Sequence, residues 1–365
     1  MRWSWKIAQI RDTEIRIHVT FVLIIGWIAM AHWAQERSLP AAAAGVAFIL
    51  AIFGCVVLHE LGHAMAARRY GIRTRDITLY PIGGVARLER MPEKPLEELA
   101  VAIAGPAVNV LIALSLFVVL ATTAGYQPLP EMGIAQGSFI QRLLIVNLFL
   151  AGFNLLPAFP MDGGRVLRAL LATRMDYAAA THAAAIAGQA MALVFGFVGL
   201  FSNPFLLFIA FFVWIGAAQE SAMVQMRRAL GGIPVAQAMV TQFRSLSTTD
   251  TLKQAIDLIL SGEQQDFPVL EGGNLVGVLT RGDMLKALAE RGQDAPVPEV
   301  MQRHFQLAGP LEMLDAAFER LRECSCRTLP VVHRDQLVGL VTMDNVGEFL
   351  MIQSALKGSR IRPAS

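Results

Sequence analysis

Apolar residues fill most of the first 220 positions in long uninterrupted blocks, then break into short runs set among mixed charges. A helix needs about 20 mainly apolar residues to cross a bilayer. Residues 17–35 contain no Asp, Glu, Lys or Arg; nor do 38–58, where the helical pattern continues to Ala67. Residues 99–130 read as a third span with a loop, and 143–161 as a fourth. The block 177–219 is too long for one span, and Ser202-Asn203-Pro204 supplies a turn near its middle. The pattern predicts an α-helical polytopic membrane domain of six spans over 1–228, followed by a smaller α/β region.

Charge orients the spans, because cytoplasmic loops are enriched in Lys and Arg. The N-terminal segment carries Arg2, Lys6, Arg11 and Arg16. The loop after the second span carries Arg68, Arg69, Arg73, Arg75, Arg87, Arg90 and Lys94. Arg165, Arg168 and Arg174 follow the fourth span, and Arg227 and Arg228 follow the sixth; the opposite loops hold little beyond Arg37 and Arg142. The expectation is a multi-pass protein of the cell (inner) membrane with both termini in the cytoplasm. The first 16 residues are basic and amphipathic, and no small-residue cleavage site follows the first apolar run, so no cleavable signal peptide is expected. A hydrophobic fraction of 55% and a mean hydropathy of +0.49 agree with a membrane protein, and a net charge of +2 gives no footprint for a nucleic-acid partner. Cys55 reads as a small core residue. Cys324 and Cys326, near His333, read as free cytosolic thiols, with a second metal site the competing reading.

The candidate chemistry lies at the end of the second span. His59-Glu60-Leu61-Gly62-His63 has the spacing H-E-x-x-H. Residues i and i+4 share a helix face, so both imidazoles can reach one metal ion, with Glu60 beside them to take a proton from a metal-bound water. Zinc lowers the pKa of such a water to about 7. Ionisable groups in an apolar span are costly and mark function. Catalytic zinc takes three protein ligands, and Asp162 is the candidate for the third. It follows the fourth span, and by the charge argument spans two and four end on the same side. A structural alternative for Asp162 is a plain Asp-Gly turn after a helix.

H-E-x-x-H in one span, Asn154-Leu-Leu-Pro157-Ala-Phe-Pro160-Met-Asp162-Gly163 in a later one and Gly105-Pro106-Ala107-Val108-Asn109 between them resemble the site-2 protease family of intramembrane metalloproteases. The resemblance covers about residues 1–225. It implies one zinc ion held by His59, His63 and Asp162, Glu60 as general base, and a transmembrane protein as substrate, cut within or near the bilayer. It also puts Asn109 and Asn154 beside the site, to polarise the scissile carbonyl or bond substrate backbone; interhelical hydrogen bonding is the other reading for both. Residues 72–88, rich in β-branched side chains and carrying Gly83-Gly84, read as a β-hairpin able to pair with an unwound substrate strand, with a plain amphipathic interfacial loop as the other reading.

The C-terminal region is a duplication with a gapless offset of 62: Pro234-Val235 matches Pro296-Val297, Met239 matches Met301, and Leu275-Val276-Gly277 matches Leu337-Val338-Gly339. Each copy reads as a helix, two short strands and a second helix, and resembles a CBS domain, the first over 233–292 and the second over 295–356. The resemblance implies an α/β CBS pair, a surface for homodimerisation through it, and ATP, ADP or AMP bound with Thr280 and Asp283 at the ribose; a purely structural dimerisation module is the other reading. Asn345 stands where the second copy would need the equivalent Asp. Two rival classes remain. A catalytically silent membrane sensor or scaffold has no use for Glu60, and a CBS-gated transporter calls for a series of intramembrane ionisable groups in place of one cluster with ligand spacing.

Overall fold

The computed structural model describes residues 3–81, 83–89, 92, 94–123, 137–262, 264–323 and 328–359; Arg90, Cys324 and Cys326 fall outside them. The chain divides into two compact units, Met1–Val224 and Gln225–Ser365.

The first unit opens on a hairpin. β1 (Ser4–Ile10) and β2 (Thr13–His18) pair antiparallel, and hydrogen bonds from Arg16 and Lys6 hold the half-buried Glu14 carboxylate below its usual pKa. The basic, amphipathic segment expected at the N-terminus takes the form of this hairpin: side chains alternate along a strand with period two, as in Thr13-Glu-Ile-Arg-Ile-His. β2 runs directly into α1 (Val19–Glu36), whose start is capped by His18. Arg37, at φ 50°, turns the chain, and Ser38 caps α2 (Leu39–Arg69). The helical pair brings the chain back so that β3 (Thr74–Tyr80) lies parallel to β2, with Ile15 opposite Ile77 and Ile17 opposite Leu79. β4 (Gly83–Leu88) completes the expected hairpin and lies at the edge of a four-stranded sheet in the order β1-β2-β3-β4. Phe21, Phe53 and Leu79 pack the sheet against the first two helices.

The remaining helices are α3 (Pro95–Thr123), α4 (Phe139–Asn154), α5 (Asp162–Ala172), α6 (Tyr177–Phe201) and α7 (Phe205–Leu230). α2, α3, α6 and α7 are long and apolar enough to cross a membrane. Two further apolar helical stretches, Val19–Ala34 and Phe139–Asn154, are shorter. α4 stops before the end of the block read at 143–161, because Pro157 and Pro160 lack the N–H that a continuing helix needs. Residues 155–161 instead form tight turns, with Ala158, Phe159 and Met161 buried against α6 and α7. The turn expected between the last two spans separates α6 from α7.

The second unit repeats one motif. The first copy contains β5 (Leu246–Ser247), α8 (Leu252–Leu260), β6 (Phe267–Glu271), β7 (Asn274–Leu279) and α9 (Arg281–Arg291). The second contains α10 (Leu314–Glu323), β8 (Thr328–His333), β9 (Gln336–Thr342) and α11 (Met343–Ser359). Each copy's leader packs on the other copy. Val235 and Ala238 are buried with Leu314, Val331 and Val341, and Val297 and Met301 are buried with Leu252, Val269 and Leu279. Gly339 and Gly277 make room for this exchange: a Cβ on either would come within 2.9 Å of Met239 Sδ or 2.4 Å of Met301 Sδ. Neither copy therefore encloses its core with its own leader, which is why the two occur as a pair.

Candidate metal centre

His59 and His63 project from α2, while Asp162 is the first residue of α5, where the helix N-terminus favours a carboxylate. All three are buried. His59 Nε2 and His63 Nε2 lie 3.1 Å apart, and Asp162 Oδ2 is 3.2 Å from the first and 3.1 Å from the second. Among the described residues this is the one cluster of three or more His, Cys, Asp or Glu groups that could hold a metal ion. The donor set fits zinc: two imidazole nitrogens and a carboxylate oxygen converge, and tetrahedral bonds of about 2.0–2.1 Å would separate such atoms by about 3.3–3.4 Å.

The outward nitrogens are held as well. His63 Nδ1 lies 2.7 Å from the Val101 carbonyl oxygen of α3. His59 Nδ1 lies 2.5 Å from Asn109 Oδ1, also on α3, and Asn109 Nδ2 donates to Asn147 Oδ1 on α4 at 2.9 Å. Both Nδ1 atoms thus face acceptors, which leaves both Nε2 lone pairs turned toward Asp162.

Glycines bring these elements close. A Cβ on Gly105 would come within 2.2 Å of His63 Nε2, so only a bare backbone lets α3 lie against that imidazole. On Gly163 it would come within 2.2 Å of the Leu156 carbonyl oxygen, and on Gly164 within 2.6 Å of Phe159 N. The two glycines after Asp162 let the irregular segment fold over the start of α5. β4 also comes close: a Cβ on Gly84 would stand 2.9 Å from Glu60 Cγ, so the sheet's edge strand lies beside the candidate base.

Farther along α5, Arg168 is buried between carboxylates. It bonds Glu98 of α3 at 2.5 and 2.8 Å and Glu220 of α7 at 2.5 Å, and stands over the rings of Phe159 and Tyr177. This triad ties the helix that begins at Asp162 to two others.

The peptidase family M50 model matches residues 47–141 and 127–195, a stretch containing both histidines and Asp162, and the CBS domain model matches 235–290 and 297–351. Zinc metalloprotease MJ0392 of Methanocaldococcus jannaschii is 35% identical over 294 residues, spanning 78% of this chain and 80% of that one. The chain belongs to peptidase family M50. A second relative, the "Putative zinc metalloprotease Rip3" of Mycobacterium tuberculosis, is 30% identical over 96% of this chain and 93% of its own. A solved structure, the site-2 protease from M. jannaschii, is 37% identical, covers 60% of this chain and 95% of its own, and has a TM-score of 0.44. The chain thus joins an M50 peptidase region to two CBS domains.

Within this M50 chain, Asn109 is placed behind His59, with both ends of its amide engaged by other helices. Asn154 ends α4, half-buried, ahead of the segment that leads to Asp162. Thr280 and Asp283 meet in the second unit: Thr280 Oγ1 donates to Asp283 Oδ2 at 2.6 Å and accepts from Asp283 N at 3.1 Å, capping α9. Gln302 Nε2 donates to the same Oδ2 at 2.6 Å. Thr342 and Asn345 make the equivalent cap in the second copy. Sequence reading missed Asn147 and the Glu98–Arg168–Glu220 triad; an isolated Asn in the apolar run 143–153 was the signal for the first.

Proposed function

We propose that the protein is an intramembrane zinc endopeptidase that cleaves transmembrane proteins within or near the bilayer, with zinc held by His59, His63 and Asp162. The observation that carries this reading is the convergence of three buried ligand atoms, 3.1–3.2 Å apart, from helices of an apolar bundle. Zinc bound there supplies Lewis acidity that makes proton loss from water accessible near neutral pH. Glu60, one residue from the first ligand, takes that proton and delivers it to the departing amine. The Asn109 and Val101 oxygens hold the imidazoles in place, and the half-buried Asn154 remains as a donor for the substrate's backbone. A helical peptide bond is shielded, so the substrate unwinds before attack. The edge strand β4, beside Glu60, offers backbone groups for an extended segment to pair with.

The reading includes six spans, counting the two shorter apolar helices, with both termini in the cytoplasm on the strength of the loop charges. A helix of 16 residues is about 24 Å long, so these two cross only where the bilayer thins or flanking residues reach outward. The membrane protease region occupies 1–228, and the CBS copies, 233–292 and 295–356, form a regulatory module that binds ATP, ADP or AMP and supports a homodimer. Thr280 and Gln302 both donate to Asp283 Oδ2, so a ribose hydroxyl would donate to Oδ1.

The test compares the membrane proteomes of cells carrying wild-type and Glu60→Gln protein. Substrate fragments that appear with the wild type alone support intramembrane proteolysis. Identical fragment sets overturn it.

A further inference from the structure

The polar chain behind His59 has a direction. An amide side chain has an oxygen that only accepts and a nitrogen that only donates. Asn147 Nδ2 donates to the Leu143 carbonyl, one turn back on α4, at 2.9 Å and lies 3.4 Å from Cys55 Sγ. That orientation presents Asn147 Oδ1 to Asn109 Nδ2 at 2.9 Å, which in turn presents Asn109 Oδ1 to His59 Nδ1 at 2.5 Å. The backbone carbonyl at the far end can only accept, so it fixes the sense of every link. The consequence appears at His59: its proton sits on Nδ1, and Nε2 keeps the lone pair that faces Asp162 and His63. Were the Asn109 amide reversed, Nδ1 would have to accept, and the proton would move to Nε2, where no metal can bind.

Burial makes this determination tight. Asn109 is 1% exposed and Asn147 is 0% exposed, so water does not compete for either amide. His63 needs no such device, because the Val101 carbonyl that faces its Nδ1 belongs to the helix backbone and cannot turn over. His59 depends on two side-chain amides that can.

We propose that Asn147 is a positioning residue for the metal centre: by fixing the Asn109 amide it holds His59 in the tautomer that offers Nε2 to zinc. The proposal rests on the reading of His59 as a zinc ligand.

The experiment measures zinc affinity of the purified full-length protein by competition with a chelator of known affinity, together with thermal unfolding of the metal-free protein. Asn147→Leu keeps the branched outline of the side chain, in a somewhat larger volume, and removes the acceptor. Asn147→Ala removes it in a smaller side chain, so that a folding failure of the leucine variant does not end the test. Asn147→Asp keeps an oxygen facing Asn109 Nδ2. Zinc affinity is expected to fall about 10–100-fold in the leucine and alanine variants and to stay near wild type in the aspartate variant. Metal-free unfolding should not follow that ranking. Wild-type affinity in the leucine and alanine variants overturns the proposal, as does an equal loss in all three. His59→Ala, run in parallel, separates the two claims. Full zinc affinity there overturns the ligand assignment and the proposal with it. Loss in His59→Ala with none in the Asn147 variants overturns the proposal alone.

Discussion

In the first unit the candidate centre draws on positions 59, 63, 109, 147 and 162, and each side chain is held by a group on another helix. In the second, the Thr280–Asp283 cap and its counterpart at Thr342–Asn345 each close within four residues, with Gln302 added to the first from farther along the chain. The difference lies in how a polar group finds partners. In an apolar bundle a buried polar atom without a partner is costly, so the partners come from wherever the fold supplies them and form chains. In the second unit, the repeat supplies the same local solution twice. A lesion in the first unit should therefore spread to the metal, whereas one in the second should stay where it is made.

The largest contrast is chemical. Glu60→Gln is expected to lower the rate of cleavage of a purified transmembrane substrate by about 10²–10⁴-fold, the range for loss of a general base. No substitution in the second unit should approach that effect.

Ion pairs give the next contrast. Arg168 and Glu98 are 1% and 0% exposed, so Arg168→Met strands a buried carboxylate and should cost about 3–5 kcal/mol in unfolding experiments in detergent. The Arg291–Glu299 pair of the second unit is more than half exposed, and Arg291→Met should cost no more than about 1 kcal/mol.

Glycine substitutions sharpen the comparison further. A Cβ at Gly105 collides with the imidazole of His63, which the Val101 carbonyl holds in place, and Gly105→Ala should weaken zinc binding by roughly tenfold or more. At Gly277 the collision is with the flexible thioether of Met301. Gly277→Ala should leave zinc affinity unchanged and cost about 1–3 kcal/mol of local stability. Chelator competition and thermal unfolding read the two outcomes.

The smallest effect concerns the nucleotide. Asp283→Ala should weaken binding of ATP, ADP or AMP roughly tenfold, the loss of one charged hydrogen bond. Calorimetric titration of the full chain checks this. Absence of binding by the wild type at millimolar concentration would remove the nucleotide from the account.

The parts of this protein legible in its sequence were those with short-range signatures. H-E-x-x-H needs only helical periodicity, the hairpin at 72–88 only β-branched residues and a glycine pair, and the repeat only its constant offset. The break between α6 and α7 was written in Ser202-Asn203-Pro204. What escaped was set by tertiary pairing. Parallel alignment of β2 with β3 depends on the return of the chain through α1 and α2, which no local pattern encodes. Exchange of the leaders places Val235 in the second copy's core although its neighbours in sequence suggest the first. Asn147 looked like one polar residue in an apolar helix until Asn109 gave it a partner.

The account stands most directly on the zinc content of the purified full-length protein compared across wild type, Glu60→Gln and Asp162→Ala. One zinc per chain is expected in the wild type and in Glu60→Gln, with a marked loss in Asp162→Ala, because two imidazoles alone hold the ion weakly. Full occupancy in Asp162→Ala, or loss of zinc in Glu60→Gln with Asp162→Ala unaffected, would contradict the assignment of the centre.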